Sequence, residues 1–250
     1  MTETAAERPA GLMRVIDFET TGLEASASVI EAGWTDIDWQ SGEIGQSGSR
    51  LFFAPTVPPE VRAVSHIWQE DIAGYQPFDA EDFVEEAVAI GCLGLVAHNS
   101  AFEGQWLERH VGPDTIRMIC TFKAGLRIWP EAPAHNNFAL LYWLADQGEI
   151  EISDRSLISP PHRAKPDSYA TALILQAIIK REITGRELVQ WTREPALYPR
   201  CPIGEHRGKP WADVDHGFLR WMVGKRDLDP DYQFCAQKEL DRRAARKAKA

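Results

Sequence analysis

The sequence predicts an α/β fold, a mixed five-stranded sheet with helices on both faces, followed by a small C-terminal module. Three observations predict it. Runs rich in Val, Ile and Phe at 14–17, 29–37 and 50–53 follow one another near the N-terminus. Short apolar runs at 93–97 and 116–120 then alternate with helical patterns. The longest clean helical pattern, 167–181, comes last.

Local signals justify each element. Ser41, Gly42, Gly45 and Gly48 lie between the second and third runs, so the first three strands are expected to be sequential and antiparallel, joined by hairpins. Pro58 and Pro59 start a helix that runs to residue 72 and stops at Gly74. A helix over 79–90 ends at Gly91, and the strand at 93–97 delivers His98 and Asn99. Helices over 100–110, 122–129 and 138–145 surround the last predicted strand. From Trp191 the pattern dissolves into Thr, Pro, Arg and Glu. The chain therefore divides into a main domain at 13–190, a linker at 191–200 and a module at 201–250. That module carries turn signals at Gly204, Gly208 and Pro210, then helical pieces from Gly217 and from Asp231.

Composition narrows the function. A chain of 250 residues buries one sizeable core and has room for an appendage. Its 44% hydrophobic content excludes the disordered and fibrous classes. The longest apolar stretch, 170–179, is broken by Gln176 and is too short to span a bilayer, so no membrane partner is expected. Residues 1–12 lack the apolar segment of a secretory signal, which makes a cytoplasmic location the expectation. Cys92, Cys120, Cys201 and Cys235 form no CxxC pair and are expected as reduced thiols. The net charge of −10 argues at first against a nucleic-acid partner. Carboxylates that hold cations count as negative in a sequence, however, and the bound ions reverse the field that a phosphate feels. Basic residues also cluster at 200–209 and 238–249, so an acidic average coexists with a basic track.

Two segments carry candidate chemistry. Asp17 and Glu19 sit two apart near the end of the first predicted strand, so alternation points both carboxylates to one face, where they can share a cation. Thr20, Thr21, Gly22 and Leu23 continue as a tight turn that exposes backbone N–H groups and an apolar side chain beside them. His162 precedes Asp167 by five residues, and Pro166 suits the first turn of the helix that Asp167 enters. Asp167 is then rigid, as a metal ligand must be, while His162 in the preceding loop is free to act as a general base. A helix-capping Asp and a surface His are the alternative reading of that pair.

The stretches VIDFETTGL (15–23), AHNSAFE (97–103) and HRAKPDSYATA (162–172) occur in this order and resemble the three motifs of the DEDDh, or DnaQ-like, exonuclease superfamily. That superfamily includes proofreading subunits of DNA polymerases. The segments MICTFKAGLRIWP, NFAL, GEHRGK and FLRW resemble its exodeoxyribonuclease X branch more closely. The resemblance implies a ribonuclease H-like fold and a 3′–5′ exonuclease that trims DNA 3′ ends, releasing nucleoside monophosphates in proofreading, repair or recombination. It also implies two divalent ions, Mg²⁺ or Mn²⁺, held by Asp17, Glu19, Glu103 and Asp167, with His162 taking the proton from the attacking water. By the same resemblance Thr20 to Leu23 receive the terminal nucleotide, with Leu23 wedged against its base, and His66 and Asn99 line that pocket. His66 also reads as a partly buried packing residue.

One position departs from the family. Its second motif ends in Asp, where this chain has Glu103, a side chain longer by about one carbon–carbon bond. Glu103 also has the spacing of a capping box with Ser100. A catalytically weakened DNA-binding protein is therefore one rival reading, and an RNA 3′ exonuclease on the same scaffold is another. In the C-terminal module Cys201, His206, His216 and Cys235 match no zinc spacing. His206, Arg207 and Lys209, flanked by glycines, are expected to meet phosphates, and a merely solvated basic tail is the alternative.

Overall fold

Strand β1 (Leu12–Thr20) is the centre of the sheet, because Met13 and Val15 bury one face and Ile16 and Phe18 the other, while the one charge among them, Arg14, is paired with Asp36 of the neighbouring strand at 2.8 Å. A computed structural model describes residues 10–24, 26–107, 109–112 and 115–248; most of the segment read above for a secretory signal lies outside them. β1 pairs antiparallel with β2 (Val29–Asp38), which pairs antiparallel with β3 (Ile44–Leu51). On its other side β1 runs parallel to β4 (Cys92–Ala97), and β4 runs parallel to β5 (Arg117–Cys120). The order is β3-β2-β1-β4-β5, a mixed five-stranded sheet.

The helices are α1 (Pro59–Ser65), α2 (Gln69–Ile72), α3 (Ala80–Ala89), α4 (Ala101–Leu107), α5 (Thr121–Ile128), α6 (Asn137–Asp146), α7 (Ala164–Ile179), α8 (Gly185–Arg193), α9 (His216–Gly224) and α10 (Pro230–Ala248). Alternation along β1 divides the core. Met13 and Val15 face the cluster formed with Ile174, Leu175 and Ile178 of α7 and with Leu140, Leu141 and Leu144 of α6. Ile16 and Phe18 face Phe83 and Val84 of α3 on the opposite side. Among the described residues no helix is long and apolar enough to cross a membrane.

Four elements differ from the sequence reading. β3 begins at Ile44, so Gly45 and Gly48 belong to the strand, and the hairpin turns earlier, at Gly42 with φ of 74°. Gly48 lies beneath the Trp34 indole, where an added Cβ would sit 2.7 Å from the ring. The single helix expected to residue 72 is broken at His66, a left-handed C-cap with φ of 56°. Asp17 and Glu19 lie inside β1, which runs on to Thr20. Finally, the expected linker starts within α8, and the residues after it are packed: Ala196 is fully buried and its N–H donates to Asp231 at 2.9 Å. Residues beyond 200 still have a core of their own, built on Cys201, Val214, Leu219, Met222 and Ala236.

Candidate active site

Asp17 and Glu19 point to the α7 side of the sheet, since they share parity with Val15. For α7 to meet them, its first turn must press onto β2, and Gly33 makes that contact possible. Gly33 lies opposite Asp17 in the β1–β2 register, and a Cβ there would fall 2.1 Å from the Ala164 carbonyl carbon. With α7 this close, Asp17, Glu19 and Asp167 each offer a ligand atom within 4.8 Å of the others. Among the described residues this is the group of His, Cys, Asp and Glu side chains placed to hold a metal ion.

These carboxylates floor a cavity of about 450 Å³ that Glu103, His162, Asn99 and the Thr20–Leu23 loop also line. The loop is tied at its base: the Thr21 N–H donates to the Ser28 carbonyl, and the Ser28 N–H donates to the Thr21 hydroxyl, both at 2.9 Å. Leu23 is 79% exposed at the mouth, an apolar side chain with nothing packed over it. Asn99 follows β4 in a left-handed conformation and is exposed, as is His162. His66 is exposed too, but it is not among the residues that line the cavity.

Glu103 is nearly fully buried, and its Oε2 has no hydrogen-bond partner. A buried carboxylate oxygen without a donor is costly, and a cation is the group that satisfies it without one. Burial pushes Glu103 up to about 8. Burial, then the Asp167 and Glu31 charges, push Glu19 to about 8, against a pull downward from Arg163. Asp17 is raised well above the carboxylate range by burial and by repulsion from Asp167, Glu103, Glu19 and Glu31. Asp167 is raised to about 7 by burial, offset in part by the His162 N–H, which donates to its two oxygens at 3.1 and 3.3 Å. His162 holds φ of 61°, so this hydrogen bond fixes the loop that carries its imidazole. Burial lowers His98, in the cavity wall, to about 4; its ring is held neutral between Thr121 and the His135 carbonyl.

Two residues that the sequence reading did not single out support this arrangement. Glu31 faces Glu19 across β1 and β2, is 1% exposed, and receives both the Nε and Nη2 donors of Arg163 together with the Ala164 N–H. Its signal was a lone carboxylate in an apolar strand, which must be paired to be buried. Arg163 is the N-cap of α7, so the ion pair pins the helix start beside His162. The two ends are unequal, with side-chain exposures of 33% for Arg163 and 2% for Glu31. Arg163→Ala is therefore expected to cost about 3 kcal/mol in urea denaturation, because it strands a buried charge, and Glu31→Gln about 1 kcal/mol. Equal costs would contradict this division.

No protein-family model matches the chain. The DNA polymerase III subunit epsilon of Treponema pallidum (strain Nichols) is 26% identical over 162 residues, which is 61% of this chain and 69% of that protein. A solved structure of exonuclease X in complex with 5′ overhanging duplex DNA is 27% identical, with a TM-score of 0.56, covering 72% of this chain and 99% of that one. In sequence and fold the chain is similar to DnaQ-like exonucleases. A structure of E. coli exonuclease I with a dA16 oligonucleotide, 14% identical with a TM-score of 0.51 over 72% of this chain and 42% of that one, shares the fold. Exonucleases of that superfamily depend on divalent metal, and the acidic cluster on β1 and α7 is where this chain has the oxygen donors for one.

Proposed function

We propose that the chain is a 3′–5′ exodeoxyribonuclease that hydrolyses the terminal phosphodiester bond of DNA and releases nucleoside monophosphates. The observation that carries this reading is the set of Asp17, Glu19 and Asp167 oxygens within 4.8 Å of one another on the cavity floor, with Leu23 exposed at its mouth. DNA is preferred to RNA because two relatives above 25% identity are a DNA polymerase subunit and an exonuclease bound to DNA.

The donor set fits Mg²⁺ or Mn²⁺. Hard carboxylate oxygens gathered within 4.8 Å of one another suit such ions. Four carboxylates with raised pKa values are unstable as four anions, which a pair of dications corrects. Asp17, Glu19 and Asp167 would hold one ion, and Glu103, which lines the same cavity with an unpartnered Oε2, would support a second. Such a pair supplies Lewis acidity toward both the attacking and leaving oxygens and lowers the pKa of water.

The chain's own residues do the rest. His162, exposed at the cavity edge on a loop held by Asp167, accepts the proton of the attacking water at its imidazole nitrogen. Thr20 to Gly22 present backbone to the terminal nucleotide, and Leu23 separates its base from the next by apolar contact, which tolerates any base. Asn99 contacts the nucleotide from the β4 side. His66 would reach the substrate only from outside the cavity, and we assign it no contact. Glu103 lies outside the three-carboxylate group but lines the same cavity with its buried Oε2 unpartnered, which supports a role at the site despite its extra methylene.

Matched DNA and RNA oligomers of one sequence, labelled at the 5′ end, test the proposal. Stepwise shortening of DNA from the 3′ end in Mg²⁺ or Mn²⁺, halted by EDTA, is the expected result. RNA cleaved faster than DNA would reverse the substrate assignment, and no shortening of either would end the nuclease reading.

A further inference from the structure

We infer that the C-terminal module carries a second nucleic-acid contact, a stacking and phosphate-binding strip for the single strand that leads into the active site; this rests on the nuclease reading for its setting, not for its chemistry. The strip is continuous. Lys209 Nζ lies 3.2 Å from the Nδ1 of His206, the His206 ring is 4.7 Å from Phe218, and Phe218 is 5.1 Å from Trp221. Trp221 is 47% exposed on α9, although Leu219 and Met222 on the same helix are fully buried. An indole backed by Phe218 and still 47% exposed, with the Lys225 ammonium on its ring, offers free ring surface on which any base stacks.

Cations surround the platform. Arg200, Arg207 and Lys209 belong to one tight loop, in which the Cys201 N–H donates to the Lys209 carbonyl and the Gly208 N–H to the Cys201 carbonyl. The loop reaches Phe218 only because residue 204 is glycine: its φ is 62°, and a Cβ would stand 2.9 Å from the phenyl ring. Arg220, beside Trp221, is exposed. Lys225 stands 5.9 Å from the Trp221 ring but is paired with Asp227, so it closes the strip instead of adding a free charge.

Charge complementarity selects the occupant. Residues 201–250 hold eleven basic and eight acidic side chains, whereas 1–200 hold sixteen and twenty-nine. Among the module's acids, Glu239 is paired with Arg242 and Arg243, and Asp227 with Lys225. A positive strip with an open aromatic ring suits a single strand, whose bases are free to stack, better than a duplex, whose bases are not. The module is also fixed at the right edge of the sheet. Ring contacts run from His98 in the cavity wall to Phe122 at 5.8 Å, to Tyr198 at 6.0 Å and to Tyr232 of α10 at 5.1 Å.

The test is binding of a fluorescein-labelled oligothymidylate of about 20 nucleotides to the full chain in EDTA, by fluorescence anisotropy across a salt series. Trp221→Ala is expected to weaken binding about tenfold or more, and Trp221→Phe to restore much of it. Arg207→Ala with Lys209→Ala is expected to flatten the slope of log affinity against log salt by about 1.4, two phosphates at about 0.7 each. Thermal unfolding of each variant checks that it is folded. Because EDTA removes hydrolysis, these losses would uphold the strip even if the nuclease reading failed. Wild-type affinity and slope in both folded variants would overturn it.

Discussion

Asp17→Asn is expected to abolish hydrolysis and, in the absence of metal, to raise the melting temperature at pH 8. Both effects come from one cause. Asp17 is held far above the usual carboxylate range by burial first and by four neighbouring carboxylates second, while Glu19 and Glu103 are pushed to about 8 and Asp167 to about 7. These groups hold protons in the folded chain that the unfolded chain has already released at pH 5 and above. Between about pH 4.5 and pH 8 the folded state therefore binds more protons, and the metal-free protein loses stability as pH rises through that window. Removing one carboxylate removes the repulsion at its centre. The gain should read as several degrees at pH 8, each kcal/mol being worth about 2–4 °C for a chain of this size, and should fade by pH 5. Saturating Mg²⁺ should invert the order, because the wild type gains the binding energy of the ions and the variant loses a ligand. The rate should fall about 10³-fold or more. Equal melting curves without metal, or activity within tenfold of wild type, would remove Asp17 from the centre of the site.

Legibility differed from element to element. Asp17 with Glu19 and His162 with Asp167 were readable as local pairs, while Glu103 joined them only through the resemblance of three ordered motifs. β1, β2, β4, β5 and α7 were readable because their apolar periods are unambiguous. β3 was not, since Gly45 and Gly48 carry the signature of a turn while serving an edge strand that must clear the Trp34 indole. α8 was hidden by its polarity, with Leu188 its one buried residue, although Thr184 and Glu187 form a capping box that marks its start. The break at His66 has no breaker residue before it: Ser65 turns its hydroxyl back to the Val61 carbonyl and ends α1 there. Glu31 was visible only as an anomaly, a charge in an apolar strand, and its partner Arg163 lies 132 residues away. Long-range pairing of that kind leaves no local trace.

His162→Gly separates the proton acceptor from the scaffold around it. Residue 162 adopts φ of 61°, which glycine reaches without strain, so the backbone N–H that donates to Asp167 should stay in place. The metal site is then expected to survive, with Mg²⁺ affinity unchanged within about threefold, while kcat falls about 10²–10⁴-fold, the usual contribution of a general base. The Michaelis constant should hold, because the exposed imidazole is not part of the cavity floor that seats the terminal nucleotide. Imidazole added to the buffer should return part of the lost rate, since the space vacated by the side chain opens directly to solvent. His162→Ala gives the comparison: it keeps the Cβ that the native residue already carries at this φ, so the bond to Asp167 and the metal affinity should also be retained while kcat falls as in the glycine variant. A glycine variant that retains full kcat would assign the proton transfer to another group and leave His162 only its backbone contribution to Asp167.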